Sequence, residues 1–203
     1  MIKVDTFLDE NIKNKLLNDE VIALPTDTVY GFAIKYDSPI AYQKLIDIKG
    51  RSPDKPIALM FAPNYDYSNI IEVDCNSKKV IAKFFPGQVT LILKARNKVP
   101  YQTHLGSKKI GFRITAKKEL NDFIASLNFP LQVTSANISG EKTLTNYQEV
   151  VDKFDNSDVS MIVKGKCDSQ ISTTVVDLSN DKPVLIREGV IKFDSILKVY
   201  YGG

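Results

Sequence analysis

Short apolar runs, each cut off by a polar turn or one bearing proline or glycine, constrain this chain more than any other feature of it. EVIALP, VYGFAIKY, PIALMFA, VTLILKA, KIGFRIT, PLQVTSAN, VSMIVKG, STTVVDL and PVLIRE all read as strands. Between them lie segments of helical period. Thr6 is placed to cap a helix reaching about Asn18, with Phe7, Ile12, Leu16 and Leu17 toward the core. Ser38-Pro39 opens a second helix, whose stripe is Ala41, Tyr42, Leu45, Ile46 and Ile48 and whose stop is Gly50. SKKVIAKFF ahead of Pro86-Gly87, KKELNDFIASLN, NYQEVVDKF and a short C-terminal segment add further helices. Helices interspersed with strands, some of them adjacent in sequence, predict an α/β fold with a sheet that mixes parallel and antiparallel pairs.

The 203 residues, 43% hydrophobic and 25% charged, suffice for one domain with a sizeable core, and no boundary divides residues 1–203. A net charge of +3 is too small to require a polyanionic partner, so the placement of the charges has to decide. Cys75 and Cys167 stand far apart without CxxC spacing, which indicates neither zinc nor a disulfide framework and fits a reducing cytoplasm. MIKVDTFLDE turns acidic where a signal peptide has its apolar core, and no apolar run approaches the roughly 20 residues of a membrane helix. The expectation is a soluble, cytoplasmic protein without a membrane role. His104 is the only histidine, and neither GxxxxGK[ST] nor GxGxxG occurs, so histidine triads and multi-histidine metal sites are poor candidates. His104 itself reads as an exposed residue of a long loop, about Arg96 to Lys108, that resembles a flap.

Four polar clusters sit where strands end, the usual place for ligands in open α/β sheets. In LPTDTVYG, Thr26, Asp27 and Thr28 offer hydroxyl and backbone donors to a small polar substrate, although an Asx or Ser/Thr turn accounts for them equally well. In IKGRSPDKP, Lys49 occupies a last helical turn and Arg51 and Lys55 follow. Dipole capping and a solvated loop are the bland alternatives, whereas Pro53 and Pro56 restrict the loop in a way that suits phosphate recognition. In TSANISG, Thr134, Ser135 and Asn137 enter a glycine-punctuated turn through which a backbone can approach an anion. Arg113 and Arg187 lie among apolar neighbours, so each needs a carboxylate or a ligand anion. Five cations with little acidic company point to a small polyanionic ligand such as a nucleotide.

LPTDTVYG, KGRSPDKP, IGFRIT, TSANISG, STTVVDL and LIREG, in that order over about Val21 to Gly189, resemble the YrdC-like threonylcarbamoyl-AMP synthases, in a short form without the extra C-terminal domain. The resemblance implies a twisted sheet around a basic cavity, and an enzyme, a nucleotidyltransferase, that makes threonylcarbamoyl-AMP and pyrophosphate from L-threonine, bicarbonate and ATP. Separate tRNA-modifying transferase proteins would then use the product on an adenosine beside the anticodon. It places Lys49 and Arg51 in catalysis on the phosphates, and Lys55, Lys109, Ser135, Asn137, Thr143 and Arg187 on ATP. It places Thr28, Met60, Arg113, Val133 and Thr173 on L-threonine. Mg²⁺ would arrive mainly on ATP, without dedicated protein ligands. Lys55 and Met60 depart from the residues common in the family, asparagine and histidine, and so alter the shape of their surroundings. Two other readings remain: a module binding double-stranded RNA or tRNA, and a diverged nucleotide-binding relative with another activity or none.

Overall fold

Val21, Ile22, Ala23 and Leu24 are all shielded from solvent, and they divide by parity. Val21 and Ala23 enter one apolar cluster, Ile22 and Leu24 another, so this strand is covered on both faces. That is why its sequence is continuously apolar. The computed structural model describes residues 1–202. Its elements are β1 (Ile2–Val4), α1 (Glu10–Leu17), β2 (Val21–Leu24), β3 (Gly31–Lys35), α2 (Pro39–Lys49), β4 (Leu59–Met60), β5 (Ile71–Glu72), α3 (Cys75–Phe84) and β6 (Val89–Ala95). They continue with a 3-10 turn at Tyr101–Thr103, β7 (Lys109–Arg113), α4 (Lys118–Leu127), β8 (Leu131–Ser135), α5 (Tyr147–Phe154), β9 (Val159–Val163), β10 (Thr174–Asp177), β11 (Val184–Arg187) and α6 (Phe193–Tyr201).

All strands join one sheet in the order β1-β9-β2-β3-β8-β4-β7-β6-β10-β11, with β5 added to β6. Parallel pairs (β1 with β9, β2 with β9, β4 with β7, β6 with β10) are mixed with antiparallel ones, as the interspersed pattern predicts. The helices start and stop for local reasons. Ser38 Oγ accepts the Ala41 amide at 3.0 Å, Pro39 takes the first helical position, and Gly50, at φ 54°, closes α2 in the left-handed region. Asn146 and Glu149 form a capping box at the start of α5. No helix among the described residues is long and apolar enough to cross a membrane.

Three expectations need correction. The first helix begins later than Thr6. Asp9 caps it by accepting the Asn11 amide at 2.8 Å, while Ile2–Val4 form an edge strand on β9. PIALMFA supplies only the two-residue β4, flanked by single backbone bonds from Val133 N to Ala58 O at 3.0 Å and from Phe61 N to Arg113 O at 2.9 Å. The segment from Arg96 to Lys108 is tied down, since Gln102 and Thr103 are buried and Gln102 Nε2 donates to Tyr36 O at 3.2 Å.

β6, β7 and β10 position the site by parity. Leu91 and Leu93, Ile110 and Phe112, and Val176 pack under α3 and α6, each burial contributing about 1.5–3 kcal/mol. The alternate residues face the other way, where no helix covers them. Thr90 and Ile92, Lys109, Gly111 and Arg113, and Val175 and Asp177 floor an open cavity of about 480 Å³. Gly111 is required there: a Cβ would stand 2.8 Å from that of Ala58.

Candidate active site

The cavity collects residues from seven separate stretches of chain. At one end the PTDT turn follows β2, and Thr26 Oγ1 bonds Val29 O at 2.8 Å and lies 3.0 Å from Thr28 Oγ1. Arg113, at the end of β7, crosses toward that turn. Its Nη2 donates to Asp27 Oδ1 and, at 3.3 Å, to Thr28 Oγ1. Asp27 is only 1% exposed and has no other cation, but Thr115 Oγ1 donates to Oδ1 at 2.6 Å and Ala116 N to Oδ2 at 3.0 Å. Gln88 Nε2 reaches the Asp27 carbonyl at 2.5 Å and so holds the turn from behind.

Arg113 is thus satisfied on one side only. Its Nε is buried without a partner among the described residues, and a buried guanidinium calls for more than one carboxylate contact. Burial lowers its pKa, with Arg187 acting in the same direction and Asp27 opposing both. An anion placed against Arg113 and Arg187 would relieve both effects.

Beyond Arg113 the lining is again cationic. Arg187 donates through Nε to Thr173 O at 3.2 Å and through Nη2 to Thr173 Oγ1 at 3.3 Å, and Thr173 Oγ1 lies 3.0 Å from Thr90 Oγ1. Arg51 turns back on its own loop, with Nε on Lys55 O at 3.2 Å and Nη2 on Pro56 O at 3.3 Å. Burial lowers the pKa of both Arg51 and Arg187. Lys109 Nζ pairs with Asp177 Oδ2 at 2.9 Å, and Asp177 is the one carboxylate in the lining. Although burial would raise the pKa of Asp177, hydrogen bonds from Ser179 and Lys109 outweigh it and lower it.

Of the residues expected at the site, Thr28, Met60, Arg113, Val133 and Thr173 all line the cavity, and so do Arg51, Lys109, Ser135 and Arg187. Lys49, Lys55, Asn137 and Thr143 do not. Lys55 is exposed in the proline-bearing loop, and Thr143 lies half-buried beyond the turn that follows β8. Lys49 departs most from expectation. It is 1% exposed, and its Nζ donates to Ser135 O at 2.5 Å, Asn137 O at 2.8 Å and Asn137 Oδ1 at 3.3 Å. Burial, with Arg51 nearby, lowers its pKa to about 8. Its ammonium therefore braces the TSAN turn, and of the three cations of IKGRSPDKP only Arg51 lines the cavity.

Asn137 completes that brace: its side-chain amide donates to Ile138 O at 2.8 Å and Glu141 O at 2.9 Å, while Oδ1 accepts from Ser135 Oγ at 2.5 Å. Gln88 and Thr115 are residues that sequence reasoning missed, and Asp27, read from sequence as part of a substrate-facing turn, serves instead as the partner of Arg113. For that pairing the signal was present, an acid three residues past the end of a fully apolar strand, where an unpaired charge would be costly.

The Sua5/YciO/YrdC family, described as telomere recombination, matches residues 14–189. A Methanocaldococcus jannaschii protein named putative threonylcarbamoyl-AMP synthase is 31% identical over 190 residues, covering 93% of this chain and 89% of that protein. A Pyrococcus abyssi threonylcarbamoyl-AMP synthase is 28% identical over 182 residues, which are 89% of this chain but 53% of that protein, so the chain spans about half its length. Among solved structures, P. abyssi Sua5 complexed with L-threonine aligns with a TM-score of 0.88 at 26% identity, over 98% of this chain and 60% of that one. E. coli YciO aligns with a TM-score of 0.83 at 27% identity, over 94% and 95% of the two chains.

Proposed function

Since the chain belongs to the Sua5/YciO/YrdC family, we propose that it condenses L-threonine, bicarbonate and ATP into threonylcarbamoyl-AMP, releasing pyrophosphate. The observation that carries this reading is the half-satisfied Arg113, aimed into a cavity whose other cations, Arg51, Lys109 and Arg187, stand beyond it. A monocarboxylate completes Arg113, with Thr28 and Thr173 hydroxyls and the apolar Met60 and Val133 about the amino-acid side chain. A polyphosphate suits the remaining cations and Ser135. The P. abyssi Sua5 structure complexed with L-threonine supports threonine as the amino-acid substrate.

In this scheme the threonine amine attacks bicarbonate carbon, and loss of water leaves an N-carboxylate. One of its oxygens then attacks the α-phosphorus, forming the new P–O bond as the bond to pyrophosphate breaks. Alignment and charge neutralisation carry such a step, which needs no side-chain nucleophile and suits a chain with one histidine. Among the described residues no three His, Cys, Asp or Glu side chains converge to hold a metal, and Asp177 is engaged by Lys109 and Ser179. Mg²⁺ is expected to enter with the nucleotide substrate, as an ion that keeps its waters and takes few protein ligands. Transfer of the product to tRNA is left to other proteins. The RNA-binding alternative draws little from the structure, since the lining cations face inward around a cavity.

The test is incubation with ATP, bicarbonate and each amino acid in turn, followed by pyrophosphate release and mass analysis. The aminoacyl-carbamoyl adenylate is expected with threonine only, and its absence with every amino acid ends the proposal. Arg51→Ala is expected to cut the rate roughly 10²-fold or more. It should leave the melting temperature nearly unchanged, because the two bonds it removes are exposed. Turnover at the normal rate in this variant would remove Arg51 from the phosphate site.

A further inference from the structure

Gln132 is fully buried in β8, in register with Ile34 of β3 on one side and Leu59 of β4 on the other. An amide sunk among aliphatic side chains is costly unless both its ends are bonded, and here only one is. Its Nε2 faces two carbonyls, Gln102 O at 3.2 Å and, at the limit of bonding, Ile57 O at 3.5 Å, while Oε1 is buried without a partner among the described residues. Only the amino end can face two carbonyl oxygens, so the orientation follows from the partners.

Those partners belong to two separate segments that each contribute to the rim of the cavity. Ile57 ends the loop that carries Arg51. Gln102 sits in the loop that carries Ser107, and it plugs into the body through its own amide on Tyr36 O. Beyond that plug the chain returns to β7 through Leu105, Gly106 and Lys108, all at positive φ, a backbone that needs holding. We propose that Gln132 is a positioning residue that couples the two rim segments, so that the Arg51 loop and the 96–108 loop hold or release the nucleotide together.

Hydrogen exchange on the full chain reads both segments without any assumption about the reaction. Gln132→Met keeps the length and removes the polar end. Protection is expected to fall about tenfold in 51–57 and in 96–108 together, with α1 unchanged as the internal reference. Normal exchange in either segment overturns the coupling. Gln102→Ala serves should Gln132→Met not fold, because it releases the plug from Tyr36 while leaving Gln132 in place. Loosening that spreads to 51–57 carries the proposal, and loosening confined to 96–108 overturns it.

Calorimetric titration adds a readout that a purely structural role would not move selectively. In Gln132→Met the Kd for MgATP is expected to rise about tenfold, while that for L-threonine stays within about twofold. Equal loss of both ligands would show general disorder of the cavity and overturn the assignment. This arm rests on the function proposed above; a wild-type protein that binds neither ligand would refute that function, while the exchange results still decide the coupling.

Discussion

Asp27→Asn is expected to lower the thermal midpoint by about 10 °C and to weaken L-threonine binding roughly 10²-fold. Asp27 is the carboxylate that bonds Arg113, and both side chains are withdrawn from solvent. Removing one charge strands the other, which for a buried pair costs about 3–5 kcal/mol. The amide also cannot reproduce the geometry, because three groups donate to the Asp27 carboxylate, Arg113 and Thr115 on one oxygen and Ala116 N on the other. If the new amino group faces Ala116 N, two donors meet. If it faces Arg113, the guanidinium is repelled toward the cavity. Melting curves and threonine titration of the purified variant decide the matter, and unchanged values of both would show that Arg113 is positioned without Asp27.

Lys49→Met is expected to leave the fold assembled and to slow adenylate formation roughly 10²-fold, the cost of a misplaced binding turn. The lysine donates to three oxygens of the TSAN turn, and its own carbonyl accepts the Ser139 amide at 2.8 Å. Without it the Ser135 and Asn137 carbonyls have no cation drawing them inward. Faster exchange at residues 135–139 would mark the loss of the brace. A weaker affinity for inorganic pyrophosphate with unchanged exchange there would instead restore Lys49 to direct phosphate contact.

The same residue predicts a pH dependence. Its folded pKa, about 8, lies below the ordinary 10.5, so between those values the unfolded chain holds more protons than the folded one. Stability of the wild type relative to Lys49→Met should therefore rise from pH 8 to pH 10.5, by at most about 3 kcal/mol. Put in reverse, that contribution is present above 10.5 and lost as the pH falls to about 8. Urea melts of the two proteins across this range provide the check, and a flat difference would mean that Lys49 is not buried as a charge.

Much of the site was legible because a strand repeats every two residues. KIGFR already separates Lys109, Gly111 and Arg113 from Ile110 and Phe112, and VTLIL separates Thr90 and Ile92 from Leu91 and Leu93. The turns after β2 and β8 announce themselves as Thr, Ser and Asn clusters behind apolar runs. The short edge strands β1 and β5 left little trace, since two or three residues form no periodic pattern.

Lys49 and Asp27 show where such reading ends. Helical spacing puts Lys49 in the last turn of α2, but a four-carbon side chain there can reach water, a ligand or the protein interior. The choice depends on Ser135 and Asn137, which lie in the turn that β8 delivers beside it. The bond from Asp27 to Arg113 likewise joins residues 86 positions apart, through a sheet order in which β8 and β4 intervene between β3 and β7. The mixed α/β sheet, the face of each strand that meets the core, and the polar turns at the strand ends could all be read from the residues alone, because they follow from local period and turn chemistry. Which cations face the cavity, which carboxylate holds Arg113, and which carbonyls Gln132 reaches are set by strand order and register, from which long side chains take their partners.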